Sequence, residues 1–188
     1  LIFILVCAIM TSVSIVREKE VGTMEVLLVS PVRPAKIVFA KMVPYFVISC
    51  VVLIMILLLA YFMLHVPISG GVWGIFTLSL LYLLLSLSLG LLVSTVAKTQ
   101  TAALLISGMV MMIPILLLSG MLFPIENMPK FFEVLSNIVP ARWYIDAIRK
   151  MMIQGSPFIA VWKEFAILLG MSVIFLSVSL VRFNDKLE

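Results

Sequence analysis

The chain has 188 residues, of which 64% are apolar and 12% charged, and its mean hydropathy is +1.29. Soluble domains are closer to half apolar and a quarter charged, so this composition excludes both a soluble globule and a disordered chain. The formal net charge of +4 does not indicate a nucleic-acid interface. At about 20 residues per crossing of a roughly 30 Å hydrocarbon core, the apolar excess matches about five or six membrane helices.

The chain begins inside an apolar run. Residues 1–16 carry no charge and lack the basic start and the cleavage site of a signal peptide. We therefore expect them to be the end of a helix whose beginning is missing, in a chain truncated at its N-terminus. Cys7 and Cys50 lie in apolar runs without partner spacing and are predicted to be small buried hydrophobic residues.

Further charge-free runs predict membrane helices at 42–64, 72–97, 101–121 and 165–181. Pro44 is expected near the start of its helix, where a missing N–H costs least, and Pro114 is expected to kink the helix over 101–121. Small residues at Ser86, Gly90 and Ser94 predict close helix packing. The runs lack the alternation of barrel strands. The predicted fold class is therefore an all-α integral membrane protein, a polytopic helical bundle with five transmembrane helices present and six in the intact chain.

The distribution of Lys and Arg predicts the orientation. One side carries the basic residues of 17–41, Lys98 and the tail 182–188, whereas basic and acidic residues alternate in 123–164 on the other side. The first side is the better cytoplasmic candidate. The chain is then a multi-pass protein of the cell membrane (a bacterial inner or plasma membrane), with a cytoplasmic loop at 17–41 and an external segment at 123–164.

Catalytic motifs are missing from the sequence. It has no phosphate-binding loop, no nucleophile elbow and no zinc-protease motif, and its single histidine, His65, has no second ligand nearby. We therefore predict no enzymatic activity, no metal and no cofactor in this chain. The predicted spans also carry no Asp, Glu, Lys or Arg, which argues against ion-coupled transport, although a simple membrane scaffold would show the same pattern.

The cytoplasmic loop contains an apolar stripe at helical spacing, flanked by Glu18 and Glu25. The stripe consists of Val21, Met24 and Leu28. Such an amphipathic segment can enter a groove on a partner protein or lie on the membrane, and its mixed charges favour the partner. On the pattern alone, a solvated positive-inside loop is the simpler interpretation.

Prolines organise the external segment. Pro124 and Pro129 end the preceding helix, and Pro140 separates two amphipathic pieces, 129–139 and 141–154. Trp143 suits the headgroup level, and the four-residue spacing of Arg142 and Asp146 predicts an ion pair on one helix face. The simplest interpretation is an interfacial helix that lies flat on the membrane.

Several motifs together carry a family resemblance. They are Arg17-Glu18-Lys19-Glu20, Gly22-Thr23, Glu25, Leu27-Leu28 and Ser30-Pro31, followed by Lys41-Met42-Val43-Pro44-Tyr45. This combination resembles the signature of type-2 ATP-binding-cassette (ABC-2) exporter permeases, most of all the drug- or ion-efflux branch. The resemblance extends over essentially the whole chain, including 97–100, 119–124 and 137–143. The first helix and the external domain of that branch are absent from this sequence.

The resemblance implies a single permease domain over 1–188. It would work with a separate cytoplasmic ABC ATPase that binds ATP and Mg, and with a second permease chain, to export a hydrophobic or amphiphilic solute or an ion. The lipid bilayer is its other partner, and no nucleic acid is involved. Which solute is moved, and whether the dimer is a homodimer or a heterodimer, stay open.

The resemblance also implies roles for particular residues. The segment 18–28 would be the coupling helix, with the ATPase contacted by Glu18, Glu20, Gly22, Thr23 and Glu25. The external segment would be a re-entrant pair of half-helices, marked by Pro124, Pro129, Pro140, Arg142 and Trp143. For each carboxylate, a solvated position is an equally good interpretation. The competing function is a non-transporting membrane scaffold that recruits a cytoplasmic partner through 17–31, and a secondary transporter is a more distant third.

Overall fold

The structure is a computed structural model that describes residues 2–22, 34–63 and 71–185. The first helices are α1 (Ile2–Val21), α2 (Pro34–Phe62) and α3 (Val72–Val96). They are followed by α4 (Gln100–Leu105), a π-helical segment (Ile106–Val110) and α5 (Met111–Leu118). A 3-10 turn (Ile125–Asn127) then leads to α6 (Lys130–Ser136) and α7 (Pro140–Met152). A second 3-10 turn (Phe158–Val161) leads to α8 (Trp162–Asp185). Since the described residues contain no strand, the predicted all-α class is confirmed.

Four stretches within the described residues are helical, long and apolar enough to cross a membrane. They are Phe39–Phe62, Val72–Val96, Gln100–Leu118 and Phe158–Arg182. These stretches coincide with the spans predicted at 42–64, 72–97, 101–121 and 165–181. The run predicted at 1–16 lies on α1, whose apolar part before Arg17 extends for only about 22 Å at 1.5 Å per residue.

The helices are longer than the apolar runs that predicted them. α1 continues past residue 16 to Val21, and α2 begins at Pro34 rather than at residue 42. Pro44 therefore lies in the interior of α2, and its predicted position near the start of the helix is wrong. Charged residues continue a helix beyond the hydrocarbon core without appearing in a hydropathy pattern, which explains these differences.

α3 is the centre of the bundle. Most of this helix is buried within the protein, whereas the other three candidate spans are largely exposed. It packs against α1 on one side and α8 on another. At the crossing with α1, a Cβ added to Gly90 would lie 2.7 Å from the carbonyl oxygen of Ala8. Ser86 and Ser94 are fully buried on the same helix. The close packing predicted from these small residues is confirmed.

Hydroxyl and thiol groups also join α1 to its neighbours. The hydroxyls of Ser12 and Ser107 share a hydrogen bond of 2.9 Å, which links α1 to the π-helical segment. The Cys7 thiol lies 3.1 Å from the Ser49 hydroxyl on α2. Cys7 is buried as predicted, whereas Cys50 is only half-buried.

The irregular part of the Gln100–Leu118 span precedes Pro114 and does not lie at it. The π-helical segment ends at Val110, the residue whose carbonyl would accept the N–H that Pro114 lacks. α5 then continues through Pro114 to Leu118. Pro114 is therefore accompanied by a change in the hydrogen-bonding pattern of the preceding turn, which is π-helical.

Candidate functional site

The last turn of α1 carries the first two predicted coupling carboxylates. Glu18 forms an ion pair with Lys41 of α2, and both side chains are about three-quarters buried. The Lys19 ammonium donates a 2.6 Å hydrogen bond to the backbone carbonyl of Ser94, in the last turn of α3. One turn of α1 is thus tied to two other helices. We call residues 18–22 the α1 end turn.

Glu20 connects the α1 end turn to the start of α4. Its Oε1 accepts the backbone N–H of Gln100 at 3.1 Å, and its Oε2 accepts the side-chain amide of the same residue at 2.6 Å. The hydroxyl of Thr99 caps this helix by accepting the N–H of Ala102 at 3.2 Å. A carboxylate beside exposed N–H groups is favourable at a helix N-terminus. Glu20 was singled out in the sequence, but its contact with a segment 80 residues away was not.

Gly22 ends α1 in the left-handed conformation, with φ of +76°. Its N–H bonds the carbonyl of Lys19 at 3.4 Å, as at many helix ends. No atom lies within 4 Å of where a Cβ would be, so the backbone angle, and not lack of space, favours glycine here. Thr23 and Glu25 lie outside the described residues. The structure therefore brings Glu18, Glu20 and Gly22 together in one turn, with both carboxylates bound to neighbouring helices.

The prolines of the segment 123–164 begin helical segments as well as ending them. Pro124 and Pro129 occupy the N-cap positions of the 3-10 turn and of α6, and Pro140 is the first residue of α7. Proline fits these positions because the first N–H groups of a helix have no partner within it. The two amphipathic pieces predicted at 129–139 and 141–154 correspond to α6 and α7.

Arg142 and Trp143 join α7 to the end of α6. The Arg142 guanidinium donates to the carbonyl of Glu133, the hydroxyl of Ser136 and the side-chain oxygen of Asn137. The indole N–H of Trp143 donates to the carbonyl of Asn137 at 3.0 Å. A cation at a helix C-terminus satisfies carbonyls that lack partners and is favoured by the helix dipole. The structure therefore gives both residues a role in fastening the two short helices together.

The ion pair predicted between Arg142 and Asp146 is wrong, because these two described side chains are not within 4.0 Å of each other. Arg142 turns instead toward the end of α6, where one backbone carbonyl and two side-chain oxygens accept its hydrogen bonds. Burial raises the pKa of the Asp146 carboxyl above its ordinary value, although Arg142, Arg149 and Lys150 act in the opposite direction.

α7 is also anchored to the long helices. The Tyr144 ring stacks on Tyr82 of α3 with centroids 3.9 Å apart, and its hydroxyl shares a 3.0 Å hydrogen bond with Ser79. Burial raises the pKa of the Tyr144 hydroxyl, so this group stays protonated. Lys150 pairs with Glu164 of α8 at 2.6 Å, and the Glu164 side chain is only 6% exposed. Sequence reasoning missed these residues because nothing in their spacing links them.

Comparison with known proteins identifies the family of this chain. Residues 1–181 match the family described as ABC-2 family transporter protein. The chain belongs to this family. It is 28% identical over all 188 residues to the probable multidrug ABC transporter permease YbhS of Escherichia coli K12, and covers 50% of that protein. It is 29% identical over 181 residues to the inner membrane transport permease YhhJ of the same strain, with 95% of this chain and 48% of that protein covered.

A eukaryotic relative is ABC transporter G family member 20 of Dictyostelium discoideum, 30% identical over 178 residues, with 94% of this chain and 24% of that protein covered. The chain spans about half the length of the bacterial relatives it matches. No solved structure matches it significantly. Membership in the family confirms the resemblance found in the sequence. The chain is thus a permease part of an ABC transporter and a multi-pass membrane protein.

Proposed function

We propose that this chain is the membrane-spanning part of an ABC exporter in the bacterial inner membrane. A separate cytoplasmic ABC ATPase binds ATP and Mg, and the permease, paired with a second permease chain, moves a hydrophobic or amphiphilic solute or an ion outward. The bacterial relatives named as multidrug and inner membrane transport permeases support this proposal. In the intact protein α1 completes a fifth span of six, and α6 and α7 form the external re-entrant pair.

The observation that carries the proposal is the position of the α1 end turn. It contacts α2 through Glu18, α3 through Lys19 and α4 through Glu20. The α1 end turn is the first part of the predicted coupling segment 18–28, and the rest of that segment follows directly in the chain before α2. A displacement of that segment by an ATPase therefore acts at once on the cytoplasmic ends of four helices.

The close α1–α3 crossing passes this displacement to the centre of the bundle. Because Gly90 leaves no gap at Ala8 and Thr11, α1 and α3 move as one body and do not slide past each other. The Ser12–Ser107 hydrogen bond extends the connection to the π-helical segment. An anchor that does no transport needs no such connection between a cytoplasmic loop and the helices around it.

The contacts divide the predicted coupling residues into two groups. Glu18 and Glu20 are proposed to transmit movement, since their carboxylates bind other helices of this chain. Thr23 and Glu25 are proposed to contact the ATPase directly, and Gly22 to allow the turn between the two groups. This division predicts different results for substitutions that change the same charge.

Co-purification of the ATPase with variant permeases tests the division. Glu25→Lys is expected to abolish co-purification while membrane insertion is unchanged. Glu18→Lys alone is expected to keep the ATPase bound and to lose ATP-driven transport, whereas Glu18→Lys with Lys41→Glu restores the ion pair and the transport. Normal co-purification of Glu25→Lys would contradict the direct contact, and a swap that stays inactive would contradict the role given to Glu18.

Transport itself is tested with inverted vesicles that contain the full-length protein and its ATPase. ATP-dependent uptake of at least one solute from a panel of amphiphiles and ions is expected, and the Glu25→Lys variant serves as the inactive control. A scaffold would retain the ATPase without any ATP-dependent uptake. That result would contradict the exporter and favour a non-transporting scaffold.

A further inference from the structure

Two cavities adjoin at the external end of the bundle and share Pro124 as a wall. The first, of about 400 Å³, is lined by the charged side chains of Glu133, Arg142, Asp146 and Arg149, and we call it the polar cavity. The second, of about 540 Å³, runs along α5 and reaches the 3-10 turn and α6. It is lined almost entirely by apolar side chains, among them Leu117 and Phe132, and we call it the apolar groove.

The charged side chains of the polar cavity are close enough to influence one another, as the effect of Arg142 and Arg149 on Asp146 shows, but they are not joined by direct ion pairs. Within the described residues, the side chains of Glu133, Asp146 and Arg149 form no ion pair and no hydrogen bond. Arg142 uses one nitrogen to bind the end of α6, while its Nε is buried without a partner. The cavity thus presents two cations and two anions to a ligand. A ligand with one negative and one positive group complements this arrangement.

The two cavities lie at the depths expected for the two parts of a lipid. Trp73 and Trp162, at the starts of α3 and α8, are largely exposed at the same end, as interfacial tryptophans are. Gly74, next to Trp73, lies against Met151 of α7, which places α7 and the polar cavity at that level. The apolar groove follows α5, part of a candidate span, toward the bilayer interior.

We propose that the polar cavity and the apolar groove together bind one outer-leaflet phospholipid with a phosphoethanolamine headgroup. Arg142 and Arg149 bind the phosphate, since guanidinium groups suit its oxygens. Glu133 and Asp146 accept hydrogen bonds from the primary ammonium, and an acyl chain lies in the apolar groove. A choline headgroup has no N–H to donate, and an anionic headgroup has no cation for the carboxylates. The site needs neither nucleotide nor the ATPase, so its test is independent of the proposed export.

The test uses the full-length protein, purified in detergent without its ATPase and incubated with phosphatidylethanolamine or with phosphatidylcholine of the same acyl chains. Lipid bound per protein is measured by native mass spectrometry. Loss of a charge-assisted hydrogen bond predicts about tenfold weaker retention of the choline lipid. Equal retention of the two lipids by the wild-type protein would overturn the proposal, and this comparison depends on no variant.

Matched variants locate the site. Arg149→Gln and Asp146→Asn are each expected to lower retention of phosphatidylethanolamine about tenfold. Lys163→Gln, at the same membrane end but outside both cavities, is expected to leave it unchanged. Only variants with wild-type elution and helicity are compared. An equal loss in Lys163→Gln would show a general surface effect and overturn the assignment.

A second pair of variants tests the acyl chain. Leu117 lines the apolar groove and Leu169 lies on α8 away from both cavities, and the two are equally exposed at 44% and 45%. Leu117→Trp fills the groove and is expected to abolish retention, whereas Leu169→Trp is expected to have no effect. Unchanged retention in Leu117→Trp would exclude the groove from the site.

Discussion

Gly90→Ala tests the close contact between α1 and α3. The added methyl carbon would lie 2.7 Å from the carbonyl oxygen of Ala8 and 2.8 Å from the Cβ of Thr11. Favourable carbon–carbon contacts begin at about 3.5 Å, so the helices must separate by roughly 0.7 Å. Both obstructing atoms are on or next to the backbone of α1, and no flexible side chain can move aside. The helices themselves have to move.

The expected magnitude combines two opposing effects. Overpacking of a well-packed interface costs about 1–3 kcal/mol. Replacing a helical glycine by alanine stabilises the helix by up to about 1 kcal/mol, because alanine has the higher helix propensity. We therefore expect a net loss of up to about 2 kcal/mol in the free energy of unfolding, and a deficit of about 1–3 kcal/mol relative to an unobstructed Gly→Ala change. Gly170→Ala in α8 is the matched control, since no atom lies within 4 Å of its added methyl group and only the propensity term remains.

The assay is reversible SDS or thermal unfolding of the purified protein in detergent, followed by tryptophan fluorescence. Gly90→Ala is expected to unfold more easily than the wild type, and Gly170→Ala to be unchanged or slightly more stable. Under the proposed coupling, in which this contact passes movement from the α1 end turn, Gly90→Ala is also expected to lower ATP-driven transport at temperatures where the variant is still folded. Equal stability of the two alanine variants would refute the contact.

Four further substitutions probe the contacts of α7 by the same unfolding assay. Tyr144→Phe keeps the ring stacking but removes the hydrogen bond to Ser79, so a loss of about 1 kcal/mol is expected, with no added loss from Ser79→Ala. Glu164→Gln removes the buried charge that binds Lys150 and is expected to cost about 1.5 kcal/mol, whereas an unchanged value would mean that the ion pair contributes nothing. Burial raises the pKa of Asp146 in the folded state, so the folded state binds more protons than the unfolded state. The free energy of unfolding therefore falls as pH rises from the unfolded-state pKa to the folded-state pKa. In lipid-free detergent, Asp146→Asn should abolish this pH-dependent decrease in the free energy of unfolding and stabilise the protein at neutral pH. A decrease that persists in the variant would show that another group causes it.

The predicted spans and the observed helices agree in their apolar parts and differ at their ends. Hydropathy located the four long helices because hydrocarbon requires a continuous apolar run. It placed the end of α1 and the start of α2 wrongly, since charged residues such as Glu18 and Lys41 extend a helix into water or into contact with its neighbours. Helix length beyond the membrane is decided by those contacts.

The residues of the candidate site were also recognisable from the sequence, whereas their contacts were not. The charged motif after the first helix and the external prolines were recognisable from residue types and spacing. The partners of Glu20 and Arg142 were not, since the first binds a turn 80 residues away and the second prefers the end of α6 to a carboxylate four residues along its own helix. Local spacing predicts which side chains are close, but not which of several acceptors is better placed.

The amino-acid sequence alone determined the all-helical membrane class, the positions of the long apolar helices and the family resemblance, because a bilayer imposes the same requirements of length and polarity on every chain. The tertiary structure decided that α3 is the central helix, that the α1 end turn binds three other helices, and that two cavities meet at Pro124. Helices that are apolar on all sides have no face marked for the protein interior. Only packing, through small residues such as Gly90 and scattered hydroxyl groups, selects their neighbours.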